Sequence, residues 1–271
     1  MRAGAFARCS LLGLQVDCVD QKDLLDEIFA SLARGEGGWI VTANLDFVRR
    51  NAIDTQARAL YGQADICVAD GMPLVWAARL QGQPLPERVA GSTLVHHLVE
   101  RAAAEGRSLY LLGGTDIANQ RAAERMQAQH PTLRLCGHSS PQVASPPSAA
   151  EIKQLADELL ALRPNILLVG MGSPKQEQVI AALRPLLPRT WFMGVGISFS
   201  FLAGEVRRAP LWMQRFGLEW MHRMLQDPRR LMKRYLVDDL PFAFRLFASA
   251  LATRARHRGR RGRARRPKSH A

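Results

Sequence analysis

Polar and glycine residues follow five short apolar runs of this sequence. They are Thr42 and Asn44, Asp70, Gly113 and Gly114, Gly170 and Gly172, and Gly194 and Gly196. In open α/β sheets, ligands bind beyond the carboxyl ends of the strands. If the apolar runs are parallel strands, these residues therefore line one binding crevice.

Asp70 has the residue type needed for proton transfer. An apolar run, 66–69, carries it to the predicted sheet edge beside Gly71. Burial beside apolar neighbours moves a carboxyl pKa towards neutrality, as a general base requires. The alternative is that Asp70 caps the helix predicted near Leu74, which is the commoner use of an isolated Asp-Gly.

The segment 166–178 places a two-glycine turn between a strand and a helix. Free N–H groups and the helix dipole at such a turn suit a phosphate, and Gly170 and Gly172 permit close approach. Lys175 is either a partner for a diphosphate or a solvated charge. The structural alternative is a capping box made by Ser173 and Gln176.

Three further residues have both a ligand-binding and a structural interpretation. Thr42 and Asn44 suit a sugar or uracil, although Asn44 equally suits a helix N-cap. Arg88 is a ligand arginine or a surface charge. His96 and His97 are adjacent and cannot form an i, i+4 metal pair, and the chain has no Asp-x-Asp. No metal ion or other cofactor is predicted.

The elements that must position these residues alternate in type. Strands are predicted at 11–16, 39–42, 66–69, 109–112, 133–137, 166–169 and 191–195. Helices are predicted at 22–32, 45–51, 56–61, 74–80, 93–105, 117–129, 149–162 and 175–187. This alternation indicates an α/β, Rossmann-like parallel sheet with helices on both faces. We expect a catalytic domain at 1–203, a helical Arg-rich segment at 204–253 (the C-terminal appendage), and a disordered basic tail at 254–271.

The net charge of +13 lies entirely in the C-terminal part of the chain. Residues 1–203 carry 19 basic and 19 acidic side chains, whereas residues 254–271 carry nine basic and none acidic. The predicted amphipathic helix 238–254 favours an anionic membrane over nucleic acid as partner. No apolar run reaches the length of a membrane span, and four scattered cysteines are typical of a reducing compartment. A cytoplasmic protein, peripheral at the inner face of the plasma membrane, is expected; self-association into a homo-oligomer is left open.

An ordered set of motifs resembles the WecG/TagA/CpsF family of bacterial glycosyltransferases. The set, spanning about residues 11–236, comprises Thr42-Ala-Asn44, Ala69-Asp-Gly71, Glu87-Arg-Val-Ala-Gly91, Leu111-Leu-Gly-Gly114, Gly170-Met-Gly-Ser-Pro-Lys-Gln-Glu177, Gly194-Val-Gly196, Phe199, Ala203-Gly204, Arg208-Ala-Pro210, Trp212-Met-Gln214, Gly217-Leu-Glu-Trp220 and Arg223.

The resemblance implies a metal-independent, inverting transfer from a UDP-sugar to an undecaprenyl-diphosphate-linked saccharide, in exopolysaccharide, teichoic-acid or surface-antigen synthesis. It also implies an appendage that closes over the site and touches the membrane. Asp70 would be the base. The residues implied to bind substrate are Thr42, Asn44, Arg88, Gly113, Gly114, Gly170, Gly172, Lys175, Gln176, Glu177, Arg208, Arg215 and Arg223. The three appendage arginines would neutralise the departing UDP.

Two positions depart from the family pattern. After Arg-Val-x-Gly-x the family usually has Asp, where this chain has Ser92-Thr93, and Phe199 is followed by Ser200 instead of Asp. These departures leave Asp70 as the clearest base but obscure the donor sugar. Two alternatives stay open at this point: a UDP-sugar epimerase or similar modifying enzyme, and a basic, non-enzymatic nucleic-acid-binding protein.

Overall fold

The computed structural model describes residues 6–206 and 208–264. Its main sheet has six parallel strands in the spatial order β4-β3-β8-β7-β5-β6. The eight strands of the described chain are β1 Arg8–Leu11, β2 Leu14–Asp17, β3 Gly38–Ala43, β4 Ile66–Ala69, β5 Ser108–Gly113, β6 Arg134–Ser139, β7 Ile166–Gly170 and β8 Trp191–Gly194.

Helices connect the strands and cover both faces of the sheet, which confirms the predicted α/β fold. They are α1 Gln21–Ala33, α2 Leu45–Ile53, α3 Thr55–Tyr61, α4 Met72–Gln81, α5 Gly91–Ala104, α6 Asp116–Gln129, α7 Ala149–Leu162, α8 Lys175–Leu183 and α9 Ser198–Leu202, followed by α10 Leu211–Arg215, α11 Glu219–Gln226, α12 Pro228–Met232, a π-helix Lys233–Asp239 and α13 Leu240–Ala264.

Successive residues of each main-sheet strand pack alternately into two separate apolar cores, one on each face of the sheet. In β7, for example, Leu167 packs into one core and Leu168 into the other, and both are fully buried. Because a parallel sheet is covered on both faces, its strands consist of almost continuous apolar residues. All five residues of β7 are buried accordingly. The buried sheet therefore holds the loops at its carboxyl edge in defined positions.

The predicted strand at 11–16 is wrong, because the chain turns back within it. β1 and β2 form an antiparallel hairpin whose two-residue turn is Leu12-Gly13, with φ of 48° and 90°. Both turn residues have positive φ, as a two-residue type I′ hairpin turn requires. Leu12 is an unusual residue for that conformation. The first position of this turn therefore carries no turn-forming residue type.

The last helix is longer than predicted. The amphipathic helix expected at 238–254 begins at Leu240 and runs to Ala264. Residues 254–264, which were predicted to be disordered, are thus helical, and residues 265–271 lie outside the described part of the chain. Phe242, Leu246 and Ala250 anchor α13, since all three are buried in the core beside α4.

Across residues 6–206 and 208–264, no helix is both long enough and apolar enough to span a bilayer.

Candidate active site

Two neighbouring strands bring three of the predicted site residues to one edge of the sheet. β3 and β4 pair in parallel with Ala43 opposite Ala69, so Thr42, Asn44 and Asp70 emerge side by side. The Asp70 amide donates to the Ala43 carbonyl at 2.8 Å, which extends the pairing by one residue. The expected convergence at the carboxyl edge is therefore present in the fold.

The segment before α5 runs back along β4 and adds Arg88 to this group. The Val89 amide donates to the Ala69 carbonyl at 2.9 Å. A Cβ atom on Gly91, the first residue of α5, would lie 2.9 Å from Thr42 Oγ1 and 3.4 Å from Asp70 Oδ2. Glycine is thus what allows α5 to begin so close to Thr42 and Asp70.

Asp70 does not cap α4, so the structural alternative for this residue is wrong. The N-cap of α4 is Gly71, and no side chain caps that helix. The pKa of Asp70 is raised to about 7, chiefly by burial; the charge of Glu219 also raises it, while Arg88, the Gly91 amide and Arg223 oppose the rise. At neutral pH the carboxyl group is therefore partly ionised, as a general base requires.

The C-terminal appendage supplies the other side of the site. Arg88 Nη1 donates to Glu219 Oε2 at 3.2 Å, and Arg208 Nε lies 3.6 Å from Glu219 Oε1. Arg208 Nη2 also donates to Thr93 Oγ1 of α5 at 2.8 Å. Two predicted arginines thus meet on one carboxylate. The side chain of Arg215, another predicted site residue, lies outside the described part of the structure.

Asn44 has the structural role that the sequence allowed. Its Oδ1 accepts hydrogen bonds from the Asp46 and Phe47 amides at 3.1 and 3.4 Å and so caps α2. A contact of Asn44 with a ligand stays a prediction.

The glycine turns after β5 and β7 form a second group at the same edge. The Gly114 amide donates to the Gly170 carbonyl at 2.7 Å, and a Cβ on Gly170 would lie 2.6 Å from the ring of Phe199. Gly113 and Gly172 have φ of 96° and 73°. Close packing accounts for Gly170, whereas Gly172 is exposed and leaves the turn open to a ligand.

Gln176 and Glu177 are buried, and the predicted capping box is wrong. The N-cap of α8 is Pro174, and no side chain caps that helix. Gln176 Oε1 accepts from the Gly196 amide at 3.0 Å, and its Nε2 donates to Glu177 Oε1 at 2.7 Å. Gln176 thus joins the turns after β7 and β8. Lys175 is half-buried. Hydrogen bonds from Ser148 and Ala144 lower the pKa of Glu151, and the charge of Lys175 adds a smaller effect in the same direction.

Sequence reasoning missed Glu219 and Thr93, although both lie in segments that it singled out. Glu219 belongs to Gly217-Leu-Glu-Trp220, and Thr93 occupies one of the positions that depart from the family pattern. The only signals were the matching motif that contains Glu219 and the departure from the family pattern at Thr93. An ion pair between residues 131 positions apart has no local pattern that could reveal it.

Comparison with known proteins identifies a family and two named relatives. The model of the glycosyl transferase WecG/TagA/CpsF family matches residues 9–256. A protein of Bacillus spizizenii named N-acetylglucosaminyldiphosphoundecaprenol N-acetyl-beta-D-mannosaminyltransferase is 30% identical over 226 residues, which cover 80% of this chain and 86% of the relative. A Staphylococcus aureus protein of the same name is 28% identical over 227 residues, covering 83% of this chain and 87% of the relative.

A carboxylate with a raised pKa, flanked by arginines at the carboxyl edge of a parallel sheet, is an arrangement suited to deprotonating a hydroxyl group beside an anionic leaving group. With the family model matching most of the sequence, this chain belongs to the WecG/TagA/CpsF family and is a glycosyltransferase.

Proposed function

We propose that this enzyme transfers a sugar, with inversion, from a UDP-sugar to an undecaprenyl-diphosphate-linked saccharide. The observation that carries the proposal is the position of Asp70, whose pKa is raised to about 7 beside Arg88 and Arg223. The names of the two relatives support the lipid-linked acceptor and indicate N-acetylmannosamine as the first sugar to test.

In the proposed reaction an acceptor hydroxyl oxygen attacks the anomeric carbon of the donor. The bond between that carbon and the β-phosphate oxygen breaks, and its electron pair leaves with UDP. The proton of the hydroxyl group passes to an Asp70 carboxylate oxygen. Arg208 and Arg223, with Arg215 as the third predicted arginine, offset the charge that develops on UDP. Thr42 and Asn44 contact the donor or the sugar.

Offering UDP-sugars one at a time, with and without N-acetylglucosaminyl-diphosphoundecaprenol, tests the proposal. We expect a lipid product carrying the donor sugar, formed only when both substrates are present, and UDP-N-acetylmannosamine is expected to give the fastest turnover. Mass spectrometry of the lipid fraction measures the product. A donor sugar that is altered without any acceptor would contradict transfer and favour the UDP-sugar epimerase.

The C-terminal appendage is the surface that we propose meets the membrane. It exposes large apolar side chains, among them Trp212, Phe216, Leu225, Phe244 and Leu251. Phe244 and Leu251 lie seven residues apart and so share one face of α13, opposite the buried face. An apolar face of this kind with basic residues nearby is typical of proteins that bind peripherally to anionic lipid, here at the cytoplasmic leaflet.

Replacing Phe244 and Leu251 with serine is expected to weaken binding to vesicles of phosphatidylserine and phosphatidylcholine by roughly 10- to 100-fold, because each side chain loses part of its apolar burial in the lipid. Vesicle sedimentation measures this. The matched control replaces Ile117 and Leu160, which are exposed apolar residues on α6 and α7, and should bind like the wild type. Equal loss in both double variants would contradict the assignment.

A further inference from the structure

Glu219 joins two arginines that approach it from different parts of the fold. Arg88 precedes α5 and donates to Glu219 Oε2 at 3.2 Å, while Arg208 belongs to the C-terminal appendage and lies 3.6 Å from Oε1. The side chains of Arg88 and Glu219 are 16% and 17% exposed, and that of Arg208 is 25% exposed. A single carboxylate thus faces two guanidinium groups beside the proposed base.

The Glu219 carboxylate does not accept hydrogen bonds from all the donors of Arg88 and Arg208 that face it. Arg208 Nε is buried and has no hydrogen-bond acceptor among the described residues, because its distance to Glu219 exceeds a hydrogen bond. The other partner of Arg208, Thr93, is neutral. An unpaired buried donor is unfavourable, whereas guanidinium groups bind phosphate through parallel, charge-assisted hydrogen bonds. The site therefore suits an anion with more oxygens and more charge than one carboxylate.

We propose that Glu219 is an internal stand-in for the diphosphate of the donor. Its carboxylate holds Arg88 and Arg208 at the site in the free enzyme, and the diphosphate displaces it when the donor binds. This inference rests on the proposed function, since it assigns the place of the nucleoside diphosphate.

The appendage has other attachments that keep it in place when Glu219 is displaced. A Cβ atom on Gly217 would lie 2.7 Å from Met72 Cβ and 3.1 Å from the ring of Trp76, so the turn before α11 packs directly on α4. Further along the chain, Arg234 Nη2 lies 3.4 Å from Asp46 Oδ2. Displacement of Glu219 therefore requires a change of side-chain conformation and no undocking of the helices.

The substitution Glu219→Gln keeps the size of the side chain and removes its charge. We expect it to tighten UDP binding by roughly 10-fold and to leave uridine binding unchanged, since the competitor of the diphosphate is lost. Glu219→Asp, which keeps the charge, should bind UDP like the wild type. The matched control is Glu205→Gln, in the same appendage, whose carboxylate lies 3.9 Å from Arg121. Calorimetric titration measures all four proteins.

Two further measurements separate this role from a purely structural one. Because the charge of Glu219 raises the pKa of Asp70 in the free enzyme, the acid limb of kcat/KM should move to lower pH in Glu219→Gln, although Arg88, Arg223 and the Gly91 amide still act on Asp70. Glu219→Ala, which removes the carboxylate altogether, should likewise tighten UDP binding, so the test does not depend on the folding of Glu219→Gln alone.

The outcomes distinguish this inference from the proposed function. UDP affinity that is unchanged or weaker in Glu219→Gln, with wild-type transfer intact, overturns the stand-in role and leaves the function standing. A wild-type enzyme that binds no UDP overturns both.

Discussion

Asp70→Asn is expected to lower turnover by about 10²- to 10⁴-fold while UDP still binds, because the amide cannot take the proton of the acceptor hydroxyl. The side chain keeps its size, so Arg88, Thr42 and the start of α5 lose no packing partner. The loss should appear in kcat. For the wild type, kcat/KM should fall as the pH drops below about 7, where Asp70 of the free enzyme becomes protonated.

Stability offers a check that the loss is chemical. A carboxyl group whose pKa is raised in the folded state favours folding when it is protonated, and this contribution is lost as pH rises through the folded pKa. For Asp70 that pKa is about 7, so at pH 8 the Asn variant should unfold at no lower temperature than the wild type.

The matched control for Asp70 is Asp116→Asn, an exposed aspartate that follows β5 at the same edge of the sheet. Its turnover should remain close to that of the wild type. Turnover near the wild-type value in Asp70→Asn would remove Asp70 from the role of base, and equal losses in both variants would show that the effect is not specific to that position.

The sheet was predictable because each of its strands obeys a local rule. Six of the seven predicted strands form the parallel sheet, since apolar runs such as Ile166–Gly170 are bounded by clear turn residues. The N-terminal hairpin was missed because Leu12 takes a positive φ in a tight turn with no polar or glycine signal at its own position. Likewise, the end of α13 was missed because an Arg-rich composition resembles disorder even when the backbone is helical.

The site was predictable to the extent that its residues follow strands. Thr42 and Asp70 emerge at the edge where the sequence placed them, and the Val89 amide fixes Arg88 beside them. The partners supplied by the C-terminal appendage were not predictable, because they depend on how helices more than 100 residues away pack on α4 and α5. The burial of Asp46 and its contact with Arg234 were not predictable for the same reason.

Asp46 holds a network of charges between α2 and the C-terminal appendage. Its side chain is 1% exposed and lies 2.6 Å from Arg49 Nη2, 2.9 Å from Arg50 Nε and 3.4 Å from Arg234 Nη2. Burial alone would raise the pKa of Asp46, but Arg234, Arg50 and Arg49 together hold it below its usual value. Asp239 adds a second carboxylate, 3.7 Å from Arg234 Nε. The charged form of Asp46 thus stabilises the docked appendage.

Asp46→Asn is therefore expected to lower the free energy of unfolding by about 3 kcal/mol at pH 7, because it removes the buried charge that three half-buried guanidinium groups share. The difference from the wild type should shrink as the pH falls below about 4, since the stabilisation by a carboxylate with a depressed pKa is lost in acid. Turnover should fall as well, because Arg234 no longer holds the appendage beside Asp70. Urea denaturation measures the free energy of unfolding, and an assay of sugar transfer measures turnover.

The control is Asp26→Asn, which removes the same charge from a surface network with Lys22 and Arg101. Solvent screens exposed pairs of this kind, so little change in stability is expected there. A loss in Asp46→Asn that is no larger than the loss in Asp26→Asn would show that the buried network does not hold the appendage. Its docking would then depend on the packing of Gly217 against α4 and of Phe242 and Leu246 in the core.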